Sequence, residues 1–277
     1  MSDAVKKYVF GRQIKGERSG QEDEFDIRLI DERDGSKGLL LVLADGMGGY
    51  AGGAMASRTA ILHFVDRFMA SGGEVNARLQ QGLDWANQQI AAQKQENARY
   101  AQMGCTLVAA YIASNRLYWV SVGDSMLYLC RGAELLRLNE DHSMAPVLEG
   151  MVDIGRMTAQ EAASDGRRNQ LRSVVSGEEI SLVDLPEEPV SLYDGDYLLL
   201  ASDGLQSVPE QEVCEIIRSG AEASMEDLTT ELIVAVKDKG VGNQDNTSLI
   251  LYCHEYPNSV NVPISDSESE PTVIIRR

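Results

Sequence analysis

The stretch from Gly38 to Ser57, GLLLVLADGMGGYAGGAMAS, places the strongest constraint on what this chain can become. Leu39 to Ala44 is an unbroken apolar run of strand length, the pattern of a strand buried on both faces. Asp45 stands at its mouth, and a glycine-rich turn behind it opens a helix. A carboxylate in that position costs free energy unless a cation or a hydrogen-bond donor meets its charge.

Two devices share this strand, turn and helix outline. Gly46, Gly48 and Ala51 fit the dinucleotide pattern GxGxxA, and Asp66 follows where a ribose-binding acid would stand. Asp45, however, would set its own negative charge against a pyrophosphate, and the next segment has the periodicity of a second helix instead of a returning strand. A P-loop is excluded because no Gly-Lys-Ser/Thr follows. The other device is a hard-metal site, with Asp45 as a ligand and glycines that let backbone carbonyls and phosphate come close.

Such a site needs more than one carboxylate, and the strand-then-acid pattern recurs. Leu117 to Gly123 ends at Asp124, and Tyr197 to Ser202 ends at Asp203 with Gly204 behind it. Asp245 precedes Asn246 and the strand Ser248 to Cys253, while Glu22 and Asp23 precede the strand from Phe25 to Ile30. Aspartate is common in turns, which accounts for any one of these. Apolar strands that repeatedly end in Gly-Asp or Asp-Gly argue instead for one shared site. Arg18, on the polar turn from Gly16 to Gly20, is either solvated or a phosphate-binding fork beside Glu22 and Asp23.

At 277 residues, 43% hydrophobic and 25% charged, the chain has the composition of a globular protein with a large core. The acids are spread so widely that one domain over residues 1–255 is expected. A net charge of −18 argues against a nucleic-acid or anionic-membrane surface. Met1 to Phe10 has no signal-peptide core, no apolar run is long enough to span a bilayer, and the four cysteines show no CxxC spacing. A cytoplasmic protein with reduced, buried thiols is expected.

The remaining periodicities outline the fold. Tyr8 to Ile14 reads as a short edge strand. Ile61, Phe64, Val65 and Phe68 mark one helix, and Val75, Leu79, Leu83, Ala86 and Ile90 mark a second. Cys105 to Ala113, Arg116 to Val122 and Met126 to Cys130 read as strands joined by short turns, so antiparallel hairpins are expected, with Asp124 on a hairpin tip. His142, between Asp141 and Ser143, is a catalytic candidate or a hydrogen-bonded structural residue. Residues 144–177 look like an irregular flap carrying Arg156, Arg167, Arg168 and Arg172, which either greet an anionic substrate or form surface ion pairs. Strands are expected again at Ile180 to Leu185 and Asp196 to Ser202, then a helix opened by Pro209. A last helix starts from a capping box at Ser224 and Asp227. Two helix pairs and two groups of strands suggest a layered α+β sandwich with helices outside. Residues 256–277 read as a flexible tail, in which Thr272 and Ile275 have the spacing favoured when a phosphothreonine docks into a forkhead-associated domain.

Together these motifs resemble the metal-dependent protein phosphatases of the PP2C (PPM) type in their bacterial form. The matching segments, in the family's order, are RSGQED at Arg18 to Asp23, ADGMGG at Ala44 to Gly49, MGCTL at Met103 to Leu107, VGDS at Val122 to Ser125, DHS at Asp141 to Ser143, RRNQLRSVVSG at Arg167 to Gly177, ASDGL at Ala201 to Leu205 and QDNTS at Gln244 to Ser248. The resemblance implies a four-layer α-β-β-α sandwich and a phosphatase acting on phosphoserine and phosphothreonine in proteins, opposing a bacterial Ser/Thr kinase. It implies that Asp45 bridges two Mn²⁺ or Mg²⁺ ions, that the Gly46 carbonyl binds the second, and that Asp203 and Asp245 complete the first. Glu22 and Asp23 would orient coordinated waters, Arg18 would hold the phosphate, and Asp124 with Asp203 would form a third metal site. Carboxylates without histidine or cysteine suit those ions better than zinc. Met47 departs from the histidine of many eukaryotic members, so the proton for the leaving alkoxide has to come from water. Retention of every expected metal carboxylate weighs against the alternative, a non-catalytic phosphoprotein-binding module on the same fold.

Overall fold

A computed structural model describes residues 8–220 and 223–255. The Thr272 reading falls outside the described residues. The first strands are β1 (Val9–Ile14), β2 (Glu24–Asp31), β3 (Lys37–Ala44) and the two-residue β4 (Gly46–Met47). Helices α1 (Tyr50–Ala70) and α2 (Val75–Glu96) follow. The chain then returns to strand in β5 (Gly104–Cys105), β6 (Leu107–Ala113), β7 (Arg116–Val122), β8 (Met126–Arg131) and β9 (Glu134–Arg137). Short helices α3 (Ala145–Asp153) and α4 (Ala159–Ser164) lead to β10 (Val190–Ser191) and β11 (Tyr197–Ala201). Helices α5 (Glu210–Ser219) and α6 (Met225–Asp238) and strand β12 (Thr247–Cys253) complete the described chain.

One sheet has the order β1-β12-β11-β8-β9 and the other β10-β7-β6-β3-β2, and all their pairings are antiparallel. The apolar run of β3 is explained by burial on both faces. Leu40, Val42 and Ala44 pack with Phe64, Phe68 and Leu83 of α1 and α2, whereas Leu41 and Leu43 pack with Leu198, Leu200 and Ile250 of the opposite sheet. On the far side, Leu199, Leu249 and Leu251 meet Ile217, Leu228 and Leu232 of α5 and α6. These layers form the expected α-β-β-α sandwich. Each Leu that leaves water for such a core contributes about 1.5–3 kcal/mol, which is why three stacked apolar layers can hold a set of acids at their edge. The Ser224 and Asp227 capping box is present at the start of α6.

Four sequence expectations are corrected. β7 and β8 belong to different sheets, so Gly123 to Ser125 is a crossing between sheets and Asp124 is not on a hairpin tip. The expected strand from Cys105 breaks at Thr106, and β5 leaves the sheet to pair with β4, Gly46 opposite Cys105. Ile180 to Leu185 forms no ladder: Ser121 and Asp184 exchange one isolated pair of backbone hydrogen bonds. The flap is more regular than its sequence suggests, since α3 and α4 lie inside it and α4 carries a capping box from Thr158 and Glu161. No helix among the described residues is long and apolar enough to cross a membrane.

Candidate metal centre

Asp45 is delivered by β3 to the edge of the sandwich and held there by its backbone. Its N–H donates to Thr106 Oγ1 at 2.9 Å, and its carbonyl accepts from the Thr106 N–H at 2.8 Å. Thr106 Oγ1 also lies 2.7 Å from Ser125 Oγ, beside Asp124 in the inter-sheet crossing. Thr106 thus ties the two acid-bearing segments together, and its break in the strand is what frees it to do so. Gly46 comes next, where a Cβ would run into the carbonyls of Gly53 and Glu22. Only glycine lets these three backbones meet.

The other acids arrive from distant segments. Asp23 is 3% exposed, and its Oδ2 accepts from Ser202 Oγ at 2.8 Å. Ser202 is the residue before Asp203, so one hydrogen bond joins the segments that carry Asp23 and Asp203. Asp203 opens a 3-10 turn, Asp203–Ser207. Asn246, next to Asp245, accepts from the Glu22 N–H at 2.7 Å and donates to the carbonyls of Lys15 at 2.7 Å and Gly20 at 2.9 Å. This side chain staples the Gly16–Gly20 turn, and with it Arg18, to the start of β12. Arg18 forms an ion pair with Asp245, although its side chain remains 55% exposed. Among the described residues no three carboxylates already close on one point as a ligand cage.

Electrostatics marks the cluster as strained. Burial, then the charges of Asp23, Asp203, Asp124 and Asp245, hold the Asp45 carboxyl well above the usual carboxylate range. Burial raises Asp23 to about 7, against hydrogen bonds from Ser202 and Ser248 that favour the anion, and Asp203 and Asp245 push it up further. Asp124 rises to about 7, through burial first and then Asp203 and Asp141. Asp203 rises to about 6 through burial and Asp245, with Arg18 and a hydrogen bond to Asp45 acting the other way. Glu22 is also raised by burial, and Arg18 opposes that.

The cluster fits a hard divalent cation. Its donors are carboxylate and carbonyl oxygens, and Asp23 Oδ1 and Asp203 Oδ1 are buried with no hydrogen-bond partner. Cations would satisfy those oxygens and remove the mutual repulsion in one step.

Asn246, Ser202 and Thr106 were not singled out in the sequence, although each sits inside a quoted motif. His142 resolves as structural: its Nδ1 accepts from the Gly123 N–H at 3.2 Å, and it supports the crossing that carries Asp124. In the flap, Arg167 pairs with Asp165 and Arg168 with Glu149, so half of its arginines are held in surface ion pairs. A cavity of about 480 Å³ lies between the flap and α5 and touches the acids only at Asp124.

Residues 10–150 match the family model described as Protein phosphatase 2C. The chain belongs to the protein phosphatase 2C family. It is 37% identical over 183 residues to the serine/threonine protein phosphatase PstP of Mycobacterium tuberculosis, a match covering 65% of this chain but only 34% of that protein. It is 30% identical over 218 residues to the serine/threonine phosphatase Stp of Listeria monocytogenes, covering 76% of this chain and 83% of that one. The fold superposes on Stp1 of Staphylococcus aureus with a TM-score of 0.74 at 29% identity, covering 89% and 94% of the two chains. A PstP catalytic domain solved with two manganese ions matches at a TM-score of 0.68 and 29% identity, covering 88% of this chain and 96% of that one.

Proposed function

We propose that this phosphatase 2C chain hydrolyses phosphoserine and phosphothreonine in proteins, using Mn²⁺ or Mg²⁺ held by Asp45, the Gly46 carbonyl, Asp203 and Asp245. The observation that carries the reading is the meeting of Asp23, Asp45, Asp124, Asp203 and Asp245 beside Arg18, with burial and mutual repulsion raising the proton affinities of the first four. When bound, a pair of such ions supplies an activated water placed for in-line attack on phosphorus.

The rest is the work of the chain. Thr106 fixes the Asp45 backbone, so the strand end that carries the acid is in place before the site fills. Asp23, fastened to Ser202, and Glu22, fastened to Asn246, orient water at the edge of the cluster. Arg18, exposed and paired with Asp245, exchanges that partner for the equatorial oxygens of a phosphate. Asp124 with Asp203 would hold a third ion. Met47 has no proton to give, so the leaving alkoxide takes its proton from water.

The names of the relatives and the manganese in the PstP catalytic domain support this assignment. The test is phosphate release from a phosphothreonine peptide with Mn²⁺, with Mg²⁺ and with EDTA. Turnover is expected with either ion and none with EDTA. A peptide that binds but is never hydrolysed under any metal would make the chain a binding module on a phosphatase fold.

The enzyme opposed by this activity is a Ser/Thr kinase, and four free cysteines among the described residues suit the reducing cytoplasm. The Thr272 and Ile275 spacing supports a forkhead-associated domain as a partner of the tail once Thr272 is phosphorylated. A phosphopeptide of residues 266–277 is expected to bind such a domain and its unphosphorylated form not to; equal affinities would remove that partner.

A further inference from the structure

Cys130 and Cys214 lie outside the acid cluster. Cys130 is on β8 and Cys214 on α5, 84 positions apart in sequence, yet their sulfurs stand 3.8 Å apart. Both are buried, Cys130 at 2% and Cys214 at 6% exposure. Two thiols in van der Waals contact across two layers stand within about 2 Å of the roughly 2.05 Å separation of an S–S bond. The other cysteines are placed differently. The sulfur of Cys105 faces the Val175 carbonyl at 4.0 Å, and Cys253 lies beside Tyr197.

We propose that Cys130 and Cys214 form a reversible oxidation site, at which a hydroperoxide converts the two thiols into one disulfide. The assignment is independent of the phosphatase reading. Cys214, on the outer helix and the more exposed of the two, reacts first. Its sulfur attacks one peroxide oxygen, the O–O bond breaks, and the departing oxygen leaves as water with the thiol proton, so Cys214 becomes a sulfenic acid. The sulfur of Cys130 then attacks that of Cys214, and the hydroxyl leaves as a second water with the Cys130 proton. Two thiols are oxidised and one hydrogen peroxide is reduced to two waters.

Burial and the contact with Cys214 push the Cys130 thiol up to about 12. A thiol held this way reacts slowly with peroxide itself, which leaves the first oxidation step to Cys214. Burial also selects the oxidant, because a small peroxide reaches sulfurs that a bulky disulfide cannot. The bond would tie β8 to α5 beside the 480 Å³ cavity, which Tyr128 and Met126 line from β8 and Glu210 and Val213 from α5.

The test uses the full chain, reduced and folded, exposed to hydrogen peroxide or to oxidised glutathione, then alkylated, digested and weighed. Peroxide is expected to remove two alkylatable thiols per chain and yield a peptide pair linked through Cys130 and Cys214, restored by dithiothreitol, while glutathione disulfide leaves both thiols free. In Cys130→Ser the link cannot form, and Cys214 is expected to proceed to the sulfinic acid. Over-oxidation of Cys214 alone in the wild-type chain, a link through Cys105 or Cys253, or retention of all thiols would overturn the proposal; the wild-type map decides even if the variant fails to fold.

Discussion

Replacing Asp203 with alanine is expected to lower phosphate release from a phosphothreonine peptide by well over about a hundredfold, a loss of roughly 3 kcal/mol or more of transition-state stabilisation. Asp203 is within hydrogen-bonding reach of Asp45, is raised to about 6 by burial and by Asp245, and has a buried oxygen with no partner. A side chain in that state does not support the apo fold; it is kept for a cation. The loss should therefore fall on kcat and on metal affinity. The stability of the metal-free protein should not fall at neutral pH, and should rise if anything, because one source of repulsion is gone. The check is kinetics against metal concentration, together with thermal unfolding in EDTA. Activity within a few-fold of wild type would remove Asp203 from the metal site, and a collapse of the EDTA melting temperature would make its role structural.

How much of this was legible in the sequence depended on what each residue had to contrast with. Asp45 and Asp203 stand out because a charge directly after LLLVLA or YLLLAS has no local partner to explain it. Asp124 was legible as an acid but not in its placement. A three-residue link looks the same whether it joins neighbours in one sheet or crosses to another, and only the packing of β7 and β8 into separate sheets decides it. Ile180 to Leu185 has the alternation of a strand, but the crossing segment meets Ser121 at a single point and finds no edge to pair along. β9, with exposed Glu134 and Leu136, offered only the pair Leu135 and Leu136, too short an apolar run to mark a strand of its own. The polar staples were hidden for a different reason: Asn246, Ser202 and Thr106 act through backbone groups of segments remote in sequence, and nothing local distinguishes them from ordinary turn and strand residues.

The second large effect is the pH dependence of stability with and without metal. Asp23 moves from the usual 3.8 to about 7, and Asp124 likewise, so the folded metal-free chain holds protons that the unfolded chain has released. A carboxyl with a raised folded value contributes stability that is fully present below its unfolded value and is lost as pH rises through the folded one. At about 1.4 kcal/mol per tenfold in proton affinity, Asp23 alone represents an upper bound of roughly 4 kcal/mol across that window. In EDTA, the melting temperature is therefore expected to decline between about pH 5 and pH 7.5. Mn²⁺ should reverse the trend, because it replaces the protons at the same oxygens and competes better as they leave. The gap between the Mn²⁺ and EDTA melting temperatures should widen steadily with pH and narrow in Asp23→Asn, which removes one of the titrating groups. A gap that stays constant from pH 5 to pH 7.5 would mean that the cations bind elsewhere than on these carboxylates.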